Sequence, residues 1–368
     1  MKAAFHEMTA RLAAAALAAC ACLALADAGA TTVRVHYPAG AEGIRIRADK
    51  GAAGWSKGVP ATAAGPVNIW TYNWPDDLGE VAMKPTLGED KVSIGGAYRI
   101  PAGATLDIYP FFGAPFGKVT IVKDVESPQL NNRRALRIYL PPSYDENPAK
   151  RYPVLYMHDG QNLFDARTAA FGMEWRVDET INSLVAMGKM DEVIVVGIDS
   201  TPDRIPEYTP CCDPKYGGGK LDRYERFVVD TVKPLVDGRY RTLAGKDGSA
   251  IMGSSLGGLA SVQIAQHYPD LFSRAGSLSG AFWWNGRMAI DKLPPQRQAL
   301  RFYLDAGTRD DGMDDTLAMR DALLARGYRE NADLMFFKAE GGRHNEASWA
   351  ARLDQPLMWF FPWGSSKQ

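Results

Sequence analysis

The chain has 368 residues with 46% hydrophobic and 23% charged side chains, a net charge of −1 and a pI near 6.5. That balance excludes the basic surface that nucleic-acid binding needs, and after the N-terminus no apolar run is long enough to span a bilayer. A length of this order suggests two domains.

Residues 1–30 read as a targeting segment. Lys2 and Arg11 precede the alanine-rich apolar run from Leu12 to Leu25, and Ala24-Leu25-Ala26 or Ala28-Gly29-Ala30 offers a small-residue cleavage site. The expectation is an exported protein, periplasmic or extracellular. Leu17-Ala18-Ala19-Cys20 also has the look of a lipobox, so a lipid anchor on Cys20 is the alternative.

Residues 31–124 have a different texture. Thr32 to Tyr37 and Gly43 to Ala48 alternate in polarity, turns rich in Gly and Pro recur every ten residues or so, and helix signals are absent, which predicts a small β-sandwich. Residues 125–135 form the junction to a second domain, 125–368, whose first strand runs from Leu136 to Leu140. Beyond it, Glu174-Trp175 and Arg204 with Glu207-Tyr208 follow strand-like segments, where they either line a site or form an internal Arg–Glu anchor. Cys211 and Cys212 would be the only cysteines left after export. As neighbours they cannot staple distant parts of the chain, and they are either bonded to each other or free. No zinc-type spacing occurs, so no metal is expected.

Gly253-Ser254-Ser255-Leu256-Gly257 is the most informative stretch. It has the G-x-S-x-G spacing that lets a serine stand on a strained strand-to-helix turn with its hydroxyl exposed. Ser249 to Met252 before it is strand-like, and Leu259, Val262, Ile264 and Ala265 after it have helical spacing. A serine hydroxyl needs a base, and the base needs a carboxylate to hold it. Downstream, His267 falls deep in the helix, whereas His344 follows a strand (Leu334 to Lys338) and a Gly341-Gly342 turn, at the sheet edge where sites assemble. For the acid, the segment leaving a strand at Arg301 to Leu304 supplies Asp310 first, Asp311 second and Asp305 third. Asp314 and Asp315 read as the acidic first turn of a helix reaching Arg326. Trp283 and Trp284, after a strand at Ala275 to Leu278, form either a wall for an aromatic acyl group or sugar, or core.

Together, Tyr156 to Phe164, Glu207-Tyr208-Thr209-Pro210, the serine turn, Gly307-Thr308-Arg309-Asp310 and Gly342 to Glu346 resemble the putative-esterase branch of the α/β-hydrolases. That branch includes siderophore esterases of the enterobactin type, feruloyl and acetyl-xylan esterases, esterase D and the mycolyltransferases. The resemblance covers roughly residues 128–363. It implies an α/β-hydrolase fold with a mostly parallel sheet and an oxyanion hole made by the Leu256 and Gln161 amides, with Gly160 as the fallback. More loosely, Trp55-Ser56-Lys57-Gly58, Trp70, Trp74 and Lys84-Pro85 resemble starch-binding-type carbohydrate modules.

The expected function is that of a serine carboxylic-ester hydrolase working through an acyl-enzyme without a cofactor. Substrate-binding candidates are Trp283, Trp284, Trp175, Arg204 and Tyr208. Its substrate would be a carbohydrate-linked or siderophore-type ester, with polysaccharide as a further partner of the first domain. Two other readings fit the same residues: an acyltransferase of this fold, or a carbohydrate-binding protein with a silent hydrolase domain.

Overall fold

A computed structural model describes residues 30–64 and 68–365. Residues 1–29, on which the expectations of a targeting segment and of a lipid anchor at Cys20 fall, lie outside the described residues.

The described residues divide into two compact units, those up to 93 with 97–110, and 94–96 with those from 111 on. The described residues of the first form nine short strands: β1 (Thr31–His36), β2 (Ile44–Ala48), β3 (Val59–Pro60), β4 (Thr62–Ala63), β5 (Ile69–Trp74), β6 (Val81–Leu87), β7 (Lys91–Val92), β8 (Tyr98–Ile100) and β9 (Thr105–Ile108). They make one sheet in the order β4-β5-β1-β9 and another in the order β3-β2-β6-β7, with β8 paired to β6. Alternation decides which side chains go inside: Val33 and Val35 on β1, Ile44 and Ile46 on β2, and Val81 and Met83 on β6 are buried. The three tryptophans of the carbohydrate-module resemblance part company here. Trp74 is core, Trp70 is half-buried with its indole N–H donated to the Tyr37 carbonyl at 3.0 Å, and only Trp55 is exposed.

The second unit contains β10 (Lys118–Ser127), β11 (Asn132–Leu140), β12 (Val154–His158), β13 (Ile194–Ile198), β14 (Ser249–Ser254), β15 (Arg274–Leu278), β16 (Arg301–Gly307) and β17 (Leu334–Ala339). They form one sheet in the order β10-β11-β13-β12-β14-β15-β16-β17. The pairs β10/β11 and β11/β13 are antiparallel and the others parallel. The boundary expected at residue 124 therefore moves back to 110. Residues 118–124 alternate in polarity like the preceding strands, but they pair along β11, with Lys118 opposite Leu140 and Ser127 opposite Asn132.

The central strands are buried on both faces, as parallel strands covered by helices must be. Successive residues go to opposite sides: Val154, Tyr156, Ile251, Phe302 and Leu304 enter one core, while Leu155, Met157, Ala250, Met252 and Tyr303 enter the other. The helix Leu256–His267 packs on the first face through Leu259, Val262 and Ile264. Val177–Ala186 and Asp354–Phe360 cover the second through Ile181, Leu184, Leu357 and Phe360. This sandwich of helix, sheet and helix holds the carboxyl ends of β12, β14, β15 and β16 side by side.

Candidate active site

At the end of β14, Ser255 has φ 54° and ψ −122°, a region that a residue with a Cβ enters only at a cost of about 1–3 kcal/mol. Three backbone hydrogen bonds hold it there. Its N–H donates to the Leu278 carbonyl at 3.0 Å, and its carbonyl accepts from Ala281 at 3.0 Å and Leu259 at 3.1 Å. The turn also requires glycine at 253, because a Cβ there would lie 2.8 Å from the Gly257 carbonyl carbon and 2.9 Å from His158 Cδ2. Strand, turn and helix thus hold a half-buried serine at the sheet's carboxyl edge.

One strand beyond β15, at the end of β16, stands the carboxylate that meets His344. It is Asp311: its Oδ1 lies 2.9 Å from His344 Nδ1. The expected first choice, Asp310, is exposed and has φ 51°, so the turn directs it to solvent and delivers its neighbour inward. Asp305, the third choice, is the fifth residue of β16 rather than a loop residue. It is buried, accepting from Tyr303 Oη at 3.0 Å and Arg352 Nη2 at 2.9 Å.

Asp311 Oδ2 accepts from Ser279 Oγ (2.6 Å), the Gly307 N–H (2.5 Å) and Arg352 Nη2 (3.2 Å). Burial works to raise the Asp311 pKa, but the bonds from His344, Ser279 and Gly307, together with the Arg352 charge, outweigh it and hold the group below the ordinary carboxylate value. Asp305 goes the other way, raised chiefly by complete burial. Trp349 packs edge-on against the His344 ring with centroids 5.1 Å apart and donates its indole N–H to Ser279 Oγ at 2.8 Å. Sequence reasoning missed Ser279, Arg352 and Trp349. The only trace in the sequence was a Ser-Gly directly after a strand and an arginine eight residues past His344.

On the other side of the serine turn, β12 ends at His158 and the chain turns through Gly160–Asn162. A Cβ on Gly160 would lie 2.6 Å from the Gly197 carbonyl carbon, so only glycine lets this turn press against β13. Asp159, at φ 56°, is clamped by Arg204 through Nε to Oδ1 at 2.7 Å and Nη2 to Oδ2 at 2.8 Å. The Gln161 side chain donates to Ser200 Oγ (2.7 Å) and accepts from the Ser200 N–H (3.0 Å), which fixes the next peptide. Among the described residues, neither the Gln161 nor the Leu256 N–H donates to a protein acceptor. His158 fills the space beneath the serine turn, its Nδ1 2.8 Å from Tyr224 Oη, and burial pushes its pKa down to about 4.

Three of the five expected substrate contacts are instead structural. Tyr208 is wholly buried against His158 and accepts from the Asp159 N–H at 3.2 Å. Trp175 is core, packed on Trp349 at 5.7 Å. Trp284 is core, its indole N–H donated to the Pro210 carbonyl at 3.1 Å. In each case a hydrophobic ring next to a loop found the interior more favourable than the mouth. Arg204 is partly exposed but committed to Asp159, and Glu207 forms the internal anchor with Arg134, through two contacts of 2.9 Å. Trp283 alone of the five is well exposed, at 41%. Cys211 and Cys212 are bonded to each other.

A mostly parallel sheet whose central strand ends in a strained serine, with an aspartate two strands away holding a histidine that follows the third, defines an α/β-hydrolase. The "Putative esterase" family model matches residues 127–360, and the chain belongs to that family. It is a carboxylic-ester hydrolase. Among characterised relatives, the Iron(III) enterobactin esterase of Escherichia coli O6:H1 is 23% identical over 83% of this chain and 69% of its own. The endo-1,4-beta-xylanase/feruloyl esterase of Xylanibacter ruminicola is 24% identical over 61% of this chain and 29% of its own. Among solved structures, a ferulic acid esterase superposes with TM-score 0.53 at 22% identity, over 67% of this chain and 98% of that one. The Shigella flexneri enterobactin esterase gives TM-score 0.54 at 19% identity, over 89% and 92%. These two likenesses establish the fold.

Proposed function

We propose that the protein is an exported serine esterase in which Ser255 attacks the ester carbonyl, His344 takes its proton and returns it to the leaving alcohol, and Asp311 fixes the His344 tautomer. The observation that carries this is the strained Ser255 backbone on the same sheet edge as the 2.9 Å Asp311–His344 contact. Asp311 accepts a hydrogen bond from Nδ1–H, which keeps that proton on Nδ1 and leaves Nε2 as the basic nitrogen. Ser255 Oγ and His344 Nε2 have no partner among the described residues, and catalytic hydrogen bonds often tighten only with substrate bound. In this reading the Leu256 and Gln161 amides, both without an acceptor among the described residues, stabilise the oxyanion, each donor being worth about 2.7–4 kcal/mol in such sites. No cofactor takes part in this cycle.

Water rather than an alcohol is the second acceptor in this reading, since the His344 side chain is 39% exposed and bulk water reaches the base. The acid portion is of the feruloyl or siderophore kind for which its relatives are named. Export rests on residues 1–30, and polysaccharide binding by the first unit on Trp55 alone. The deciding experiment is hydrolysis of p-nitrophenyl butyrate by the wild type and Ser255→Ala. A loss of about 10⁶-fold with an unchanged unfolding temperature is expected; a folded Ser255→Ala protein that kept its rate would end the proposal.

A further inference from the structure

Trp283 and Tyr216 are both large and exposed, at 41% and 45%, and they pack edge to face with ring centroids 5.7 Å apart. Apolar rings left in water next to each other are costly unless something uses them. Both rest on the buried Trp284, at 5.8 Å and 6.2 Å. Trp283 lies two residues beyond Ala281, whose N–H is bonded to the carbonyl of Ser255 itself. The pair is thereby tied to the nucleophile through one short, hydrogen-bonded piece of chain.

Tyr216 reaches this position from the loop 210–219, which is strongly braced. The Cys211–Cys212 disulfide begins it, Asp213 and Gly217 exchange backbone hydrogen bonds of 2.7 and 2.9 Å, and Asp213 Oδ1 accepts from the Lys215 and Tyr216 N–H groups. Asp213 Oδ2 then accepts from the Asn285 N–H at 3.2 Å, pinning the loop to the chain that follows the tryptophans. A Cβ on Gly218 would sit 2.7 Å from the Trp284 ring, so the loop closes directly onto the indole. Lys215 Nζ lies 4.7 Å from the centre of the Tyr216 ring and adds a cation at the rim.

We propose that Tyr216 and Trp283 form a rigid aromatic platform for a phenolic ring in the acid portion of the substrate, with Lys215 beside it to meet the ring's oxygens. The inference rests on the esterase reading above. The acid portion, unlike the alcohol, stays bonded to Ser255 through both halves of the cycle, so a wall fixed to the backbone of Ser255 keeps its register with the acyl carbon. An aromatic face stacks on a planar ring, and the braced loop has little ordering left to lose on binding.

The test compares methyl ferulate, phenyl acetate and methyl butyrate with wild type, Tyr216→Ala, Tyr216→Phe and Trp283→Ala. In both alanine variants the ratio of kcat/KM for methyl ferulate over methyl butyrate should fall roughly tenfold, mostly through KM, the size expected for losing one stacked ring. Tyr216→Phe should keep the ratio. If the alanine variants leave it unchanged, or if phenyl acetate suffers in place of methyl ferulate, the assignment is overturned. Turnover of methyl butyrate that Ser255→Ala abolishes supports the esterase reading whatever happens to the ratio. Should no ester turn over, saturable quenching of tryptophan fluorescence by free ferulate, weakened in Tyr216→Ala, still supports the platform, and its absence refutes it.

Discussion

Replacing Asp311 by asparagine discriminates sharply among the carboxylates at the end of β16. The wild-type carboxylate accepts from four donors: His344 Nδ1 on Oδ1, and Ser279 Oγ, the Gly307 N–H and Arg352 on Oδ2. Asparagine has only one acceptor oxygen. If that oxygen keeps the three donors, the amide NH₂ faces His344 Nδ1, which must then accept, and the proton moves to Nε2, where the base is needed. If the amide turns round, its NH₂ faces three donors at once. The first orientation costs less, so the expected result is a folded protein with the wrong tautomer. Such a change lowers kcat by about 10⁴-fold in serine triads, which at 1.36 kcal/mol per tenfold is about 5.4 kcal/mol. The fold should persist, because Arg352 keeps its 2.9 Å contact with Asp305. Initial rates on p-nitrophenyl butyrate beside thermal unfolding curves measure both. Asp310→Asn is the matched control. It is exposed at φ 51°, a conformation asparagine tolerates, and its rate should stay within about twofold. A folded Asp311→Asn enzyme within tenfold of wild type, or an inactive Asp310→Asn, would refute the assignment.

Glu207→Ala removes half of an ion pair whose side chains are 1% and 0% exposed, stranding the Arg134 charge. The denaturation midpoint should fall by an amount equivalent to about 3–5 kcal/mol, and a change under 1 kcal/mol would count against the anchor role. His158 has its pKa lowered by burial from 6.5 to about 4, so the unfolded chain binds more protons between those values and stability drops as pH falls through that window. The drop attributable to His158 is about 3 kcal/mol and should be absent in His158→Gln when unfolding is followed from pH 7 to 4; equal slopes in the two proteins would remove it from the account. Gly253→Ala puts a methyl 2.8 Å from the Gly257 carbonyl carbon and must displace Ser255. Activity should fall by about 10²-fold at least, and an alanine enzyme with a normal rate would mean the turn is softer than its contacts imply.

Local sequence already determined a good deal. The serine turn is legible because its requirements are local: two small residues, a buried strand before and a helix after are all encoded within twenty residues. His344 and the strands β14 to β17 were legible for the same reason, each being a short apolar run closed by glycine or a polar turn. What needed the tertiary structure was any choice among neighbours. Asp310 and Asp311 are chemically identical and adjacent, and only the left-handed backbone at 310, with Ser279, Gly307 and Arg352 waiting on the inner side, selects the second. The domain boundary shifted because strand alternation at 118–124 carries no label for its partner, and β11 claims it. Burial separated Trp284 from Trp283 and removed Tyr208 and Trp175 from the mouth, since composition gives a ring's preference for the interior but not which ring finds room there. Sequence by itself thus set out the candidate groups, while long-range packing and hydrogen bonding, which join residues well over a hundred positions apart, decided which of them came together.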